Sequence, residues 1–131
     1  MEMSKVTKGS CNCGAVNYEI AGEIRPVVAC HCSQCRKQTG HYFAATNCKD
    51  DQIVIKGADN ITWYAASDSA KRGFCKHCGS ALFWKPEGRD DVSILAGSID
   101  GATGLKLVEH IFVADKGDYY ELNDGLPQRE Q

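Results

Sequence analysis

The segment Cys30-His31-Cys32-Ser33-Gln34-Cys35-Arg36-Lys37 places three thiols within six residues and follows them with two cations. Two more cysteine pairs flank it, Cys11-Asn12-Cys13 before and Cys75-Lys76-His77-Cys78-Gly79 after. Seven of the eight cysteines therefore fall in short, chelate-like clusters, and only Cys48 stands alone. Disulfides suit this spacing poorly. One intervening residue would close a strained ring, and three thiols in six residues cannot all find distant partners. Thiolates converging on one soft cation suit the crowding better. A structural zinc site takes four protein ligands and closes, whereas a catalytic one commonly has three and leaves a position open. Seven ligands thus divide as four plus three.

Cys75-x-x-Cys78-Gly79 has the spacing of a zinc knuckle, in which two residues between thiols let both reach one ion while nearby N–H groups bond the sulfurs. One pair cannot fill a tetrahedron, and the natural complement is Cys11 with Cys13. That pairing ties the amino-terminal segment to the middle of the chain across a loop of about sixty residues. Cys30, Cys32 and Cys35 then form a three-thiol face whose fourth position is left to water, a substrate or Cys48. Three thiolates and Zn²⁺ carry a net negative charge, which Arg36 or Lys37 could offset. A different division, Cys11 and Cys13 with two of the central cysteines, stays open at this point, although it leaves Cys75 and Cys78 incomplete. His31 and His77 lie between ligands and read as turn residues or outer hydrogen-bond donors. His41 and Cys48 are available as a fourth ligand but lack a chelating neighbour.

The elements that must hold these groups are short. Residues 1–8 are polar and read as a frayed end, and Gly9 to Gly14 as a turn around the first pair. Val16, Tyr18 and Ile20 alternate with polar residues, the period of a half-buried strand. Pro26 to Ala29 is an extended run delivering Cys30, and Ser33 is an available N-cap for one helical turn through Lys37. Further strands are expected around Tyr42–Thr46, Gln52–Lys56, Ile61–Tyr64, Lys71–Phe74, Ala81–Trp84, Val92–Ala96 and Val108–Val113, separated by Gly, Asp and Asn turns. No stretch keeps apolar residues at helical spacing beyond two turns. The expected fold is mainly β, one domain of short antiparallel strands over residues 1–131, with a charged tail from about Asp115 that is partly mobile.

Composition narrows the function classes. Hydrophobic residues make up 43% and charged residues 24%, ordinary values for a globular protein. A formal charge of −2 and a pI near 6.1 give no electrostatic footprint for nucleic acid or an anionic membrane. No apolar run is long enough to span a bilayer, and the first residues lack the apolar core of a signal peptide. A cytoplasmic location is expected, and in a reducing compartment clustered cysteines are more often metal ligands than disulfides.

Gly9-Ser10-Cys11-Asn12-Cys13-Gly14-Ala15-Val16, Cys30 to Lys37, and Arg72-Gly73-Phe74-Cys75-Lys76-His77-Cys78-Gly79-Ser80-Ala81-Leu82 together resemble the glutathione-dependent formaldehyde-activating enzyme family, which also includes centromere-protein-V-like domains. Gly97-Ser98-Ile99-Asp100 and His110-Ile111-Phe112 are similar to its weaker, later motifs, so the resemblance spans about residues 8 to 113. It implies a zinc-pinned β-tent and carbon–sulfur lyase activity, as in members that add glutathione to formaldehyde to give S-(hydroxymethyl)glutathione. By position it implies that Cys11, Cys13, Cys75 and Cys78 hold a structural zinc ion. Cys30, Cys32 and Cys35 would hold a second, substrate-side zinc. Two zinc ions per chain are expected, the second the more easily lost on purification. Tyr119-Tyr120 stands where the family usually has a tryptophan.

The chemistry suits the open face. A substrate thiol is a soft ligand that zinc would deprotonate near neutral pH, ready to join a small aldehyde or to leave one. The expected partners are therefore a glutathione-like thiol and a small aldehyde. Tyr42, Phe43, Arg72 and His110 are candidates for lining the site. Their plain alternatives are core packing for the aromatics, a solvated strand position for Arg72 and a structural role for His110. Two other classes stay in view: a non-catalytic zinc-stabilised binding domain, and a thiol sensor that works by metal release.

Overall fold

The computed structural model describes residues 5–131. Among the described residues, ten strands are arranged in two sheets. The smaller contains β1 (Val6–Ser10), β2 (Asn17–Ala21) and β5 (Ile53–Lys56) in the order β1-β2-β5. The larger contains β3 (Val27–Cys30), β4 (Phe43–Lys49), β6 (Ile61–Ala65), β7 (Ala70–Cys75), β8 (Ala81–Pro86), β9 (Asp91–Leu95) and β10 (Leu107–Ile111), ordered β10-β3-β4-β9-β8-β7-β6. An α-helix, α1 (Ser33–Thr39), follows β3. The mainly β expectation holds, with one difference. β10 pairs with β3 in parallel, so one edge of the large sheet is mixed rather than antiparallel.

Side-chain alternation gives the large sheet two different faces. Tyr18 and Ile20 from the small sheet, with Val16 just before β2, pack against Cys48, Leu82, Phe83, Val92 and Ile94 from the large one, and this is the main core. Tyr18 meets Phe83 edge to face, with ring centroids 5.6 Å apart, and its hydroxyl lies 2.6 Å from Ser98 Oγ. Gly9 stands opposite Tyr18 in the register, where a Cβ would fall 2.1 Å from the phenol ring. A side chain there would evict the ring from the core. On the other face, Val28, Cys30, Phe43, Ala45, Asn47, Trp84 and Ser93 turn toward a cavity of about 580 Å³.

Several local expectations are corrected. Residues 6–10 form a paired strand instead of a frayed end, because burying Thr7 and Gly9 beside β2 completes the small sheet; residues 1–4 lie outside the described residues. α1 runs for two turns, not one, and its N-cap is Cys32, not Ser33. Cys32 Sγ accepts the Cys35 N–H at 3.2 Å, so a thiol does what the Ser33 hydroxyl was expected to do. Gly40, at φ 85°, closes the helix by returning its N–H to the Arg36 carbonyl. The charged tail is fixed at several points. His110 N–H donates to the Pro127 carbonyl, Arg129 N–H to the His110 carbonyl and Val113 N–H to the Arg129 carbonyl.

Candidate metal centres and substrate cavity

The four-sulfur cluster is assembled by two chain reversals of the same design. At the first, Cys11 N–H donates to the Val16 carbonyl and Gly14 N–H to the Cys11 carbonyl. At the second, Cys75 N–H donates to the Ser80 carbonyl and Gly79 N–H to the Cys75 carbonyl. Both turns need a left-handed residue, supplied by Gly14 (φ 82°) and Gly79 (φ 78°). Backbone N–H groups of Val16 and His77 point at Cys11 Sγ (3.3 Å) and Cys75 Sγ (3.4 Å). Asn12 N–H reaches across to Ser80 Oγ at 3.0 Å and joins the two turns.

Cys11, Cys13, Cys75 and Cys78 all present sulfurs within 4.8 Å of one another. The Cys11–Cys13 and Cys13–Cys75 sulfur separations are 3.7 Å. A tetrahedron of sulfurs about 2.3 Å from a zinc ion has edges of about 3.8 Å. The dimensions fit that ion. The Ser80 hydroxyl beside Cys78, and then the Ser80 backbone N–H, bring that thiol down to about 5. These four cysteines come together as the sequence suggested, and the alternative division with the central cysteines is not what the fold assembles. His77 is no ligand; its Nε2 lies 3.0 Å from Asn60 Oδ1.

The three-sulfur cluster has a different origin. β3 ends at Cys30, Cys32 caps α1 and Cys35 lies in the first turn of the helix, which brings their sulfurs within 4.8 Å of one another. One side of the cluster faces the cavity, whose wall includes all three cysteines with Phe43, Trp84 and Arg72. Arg72, on β7, is only 6% exposed, so the solvated reading fails. Its Nη2–H donates to Cys35 Sγ at 3.3 Å and its Nε–H to Gln34 Oε1 at 2.8 Å, while the guanidinium lies 5.1 Å from the Phe43 ring centroid. Gln34 is itself held by its Nε2–H donating to the Ala66 carbonyl at 3.1 Å.

The cation at the thiols is therefore Arg72, 37 residues from Cys35 in sequence, and not Arg36 or Lys37, which leave the helix at other angles from Cys35. Cys30 is the largest influence on Cys35 and, with Cys32 and Arg72, outweighs burial to bring Cys35 down to about 6. Cys30 is pushed up in return, first by Cys35 and then by burial. A buried guanidinium fitted against clustered thiols matches an anionic, metal-holding trio.

Of the other expected contributors, Phe43 and Arg72 line the cavity, whereas Tyr42 and His110 do not. Cys48 points into the main core at 3% exposure, where burial and then nearby Asp50 push its thiol up to about 11. It is not a fourth ligand. His41 packs on Tyr42, Tyr119 and Tyr120 and joins neither cluster. A feature that sequence reasoning missed lies behind the three-sulfur loop: His31 and His110, each 1% exposed, are hydrogen-bonded to each other. Their separation of 79 residues hides the pair, and only the position of His31 between two ligands hinted at it.

The model for the family described as glutathione-dependent formaldehyde-activating enzyme matches residues 6–115. The chain belongs to that family. A relative from Schizosaccharomyces pombe, described as an uncharacterized lyase, is 30% identical over 115 residues, covering 87% of this chain and 83% of the relative. A crystal structure of a Rhodobacter sphaeroides protein superposes with a TM-score of 0.61 at 24% identity, covering 92% of this chain and 98% of that one. It shares the fold. Both cysteine clusters lie inside the matched span, as does Arg72. Tyr120 and the residues after it lie outside it.

Proposed function

We propose that this family member is a zinc-dependent carbon–sulfur lyase that joins a small thiol, glutathione or one like it, to formaldehyde or a similar small aldehyde, and reverses the addition. Cys11, Cys13, Cys75 and Cys78 hold a structural zinc ion, and Cys30, Cys32 and Cys35 hold the second. The observation that carries the reading is the three-sulfur face itself, incomplete as a tetrahedron and opening on a cavity of about 580 Å³. The match to the family and the relative described as a lyase support it. When bound there, zinc supplies a Lewis acid that favours a substrate thiol as thiolate near neutral pH.

The chain's own residues do the rest. Phe43 and Trp84 give the cavity apolar walls that limit water around the reacting carbonyl. Arg72 offsets the charge of the cysteine trio through Cys35. The bonds to Gln34 and Cys35 use two of its five N–H groups, and the others are available to the aldehyde oxygen as negative charge develops on it. In the forward direction the thiol S–H and carbonyl C=O become a C–S bond and a hydroxyl; the reverse step breaks that C–S bond and returns the proton to sulfur. Among the described residues no helix is long and apolar enough to cross a membrane, and no basic arm in the sequence suggests nucleic acid.

The test is exchange spectroscopy by ¹³C NMR on glutathione and labelled formaldehyde, with wild type and Cys32→Ser each reconstituted with zinc. Wild type with two zinc ions should speed interconversion of free and thiol-bound formaldehyde well beyond buffer. Cys32→Ser should keep its fold and one zinc ion and lose at least about a hundredfold of that acceleration. Wild type that binds two zinc ions yet leaves the exchange at the buffer rate would remove the lyase reading and leave a thiol-sensing or binding domain.

A further inference from the structure

Behind the loop that carries Cys30 and Cys32, four side chains form one continuous hydrogen-bonded chain. Tyr120 Oη meets His31 Nδ1. His31 Nε2 lies 2.9 Å from His110 Nδ1, and His110 Nε2 lies 2.7 Å from Asp124 Oδ2. With both imidazoles neutral every contact holds one proton: Tyr120 O–H donates to His31, His31 Nε2–H to His110, and His110 Nε2–H to the Asp124 carboxylate. Both histidines are 1% exposed, whereas Asp124 is on the surface. The side chains at the two ends belong to the carboxy-terminal segment, beyond the span that the family model matches.

That segment is attached on either side of the chain of contacts. The Pro127 carbonyl accepts from His110 N–H, Gln128 bridges to His110, and Arg129 Nε–H donates to Glu109 at 2.7 Å. Lys116 Nζ–H donates to the Gly117 carbonyl at 2.7 Å and to the Tyr120 carbonyl, which fixes the turn before Tyr120. His31 N–H donates to the Ile111 carbonyl at 2.9 Å, so the backbone between Cys30 and Cys32 is anchored on β10 as well. Along β3 and β10 the cysteine and the histidine face opposite ways. Cys30 and Ile111 turn to the cavity, while His31 and His110 turn to the tail.

We infer that Tyr120 and Asp124 are positioning residues for the three-cysteine metal face, acting through His31 and His110 to fix the Cys30-His31-Cys32 backbone from behind. A residue between two ligands cannot rotate without moving both sulfurs, and outer hydrogen bonds of this kind commonly govern how well a metal is held. The inference rests on the reading above only in that Cys30, Cys32 and Cys35 hold zinc; it needs no particular substrate.

The experiment is chelator competition on the full chain loaded with two zinc ions, following both equivalents, for wild type, Tyr120→Phe, Asp124→Asn, the double variant and Asp118→Asn. Tyr120→Phe and Asp124→Asn should each weaken the more labile zinc by about 10–100-fold and leave the tightly held ion within twofold. The double variant should lose little more than the worse single one, because both act on one chain of contacts. Asp118→Asn, an exposed neighbour in the same segment, should change neither. Single variants within twofold of wild type at the labile site overturn the inference, as does equal weakening of both sites, which is general loosening. Additive losses overturn the path through the two histidines. Wild type that takes up only one zinc ion overturns the metal reading of the three-cysteine face and the inference with it.

Discussion

The two cysteine clusters use the same ligand atom and differ in what surrounds it. The four-sulfur cluster joins two backbone reversals, and Cys11 and Cys75 belong to the main core. The three-sulfur cluster sits where a strand becomes a helix, beside a cavity, with a buried arginine from a third element against one sulfur. The first is complete from protein atoms alone. The second is incomplete without something that enters from the cavity. On the proposed function, stability falls to one cluster and exchange to the other, although sequence spacing alone, x or x-x between thiols, looks much the same in both.

The largest test of that division is Cys75→Ser. A structural zinc site contributes on the order of 10–16 kcal/mol of apparent binding free energy, against about 5–15 kcal/mol net stability for a domain. The variant should show no cooperative thermal transition by circular dichroism, whereas a variant of the three-sulfur face should unfold cooperatively. A cooperative Cys75→Ser protein would make the two clusters equivalent.

Arg72→Lys should act on function more than on fold. Loss of the bridge to Gln34 and Cys35 should lower the exchange rate by about 10²–10³-fold and stability by about 1.5–3 kcal/mol, read by denaturant midpoint. A rate within threefold of wild type would remove Arg72 from the chemistry.

Smaller effects separate the supports. Gly14→Ala and Gly79→Ala meet no neighbouring atom, so they should cost only the left-handed backbone penalty, about 1 kcal/mol each. That loss should appear in the hold on the tight zinc ion. Gly40→Ala, at the end of α1 with the same backbone sign, should cost as much and loosen the labile ion instead. The reverse assignment in chelator competition would break the comparison.

The smallest signature is a titration. Burial, then His110, holds His31 down to about 4 from an ordinary 6.5. Because the folded value lies below the unfolded one, the unfolded chain takes up protons first as pH falls. Stability associated with neutral His31 is therefore present above about 6.5 and lost as pH drops toward 4. Imidazole nitrogen shifts should stay at their neutral values until well below pH 6; a midpoint near 6.5 would show that His31 is not enclosed.

Legibility in the sequence followed contact range. Cys75-x-x-Cys78-Gly79 and the central trio could be read directly, because chelation and the glycine turn are local. So could the alternation of Val16, Tyr18 and Ile20. The burial of Arg72 could not, since a cation on a short strand reads as solvated until its partners Cys35 and Gln34 are known. The His31–His110 pair and the attachment of the tail were hidden for the same reason. Asp124 and Arg129 look like ordinary surface charges, yet each meets a partner on β10. Cys32 as helix cap was missed because a serine, the usual cap, stands next to it.

The parallel pairing of β3 with β10 also sets an order of events. β3 is made early, but its outer neighbour and the Tyr120 contact come from residues about eighty to ninety positions later. Contacts of such separation are slow to form, and during synthesis they must wait until nearly the whole chain has emerged. Both halves of the four-sulfur cluster are available from Cys78 onward. A growing chain can therefore close the four-sulfur cluster while the thiols of the other face still lack their backing, so the three-sulfur face matures last.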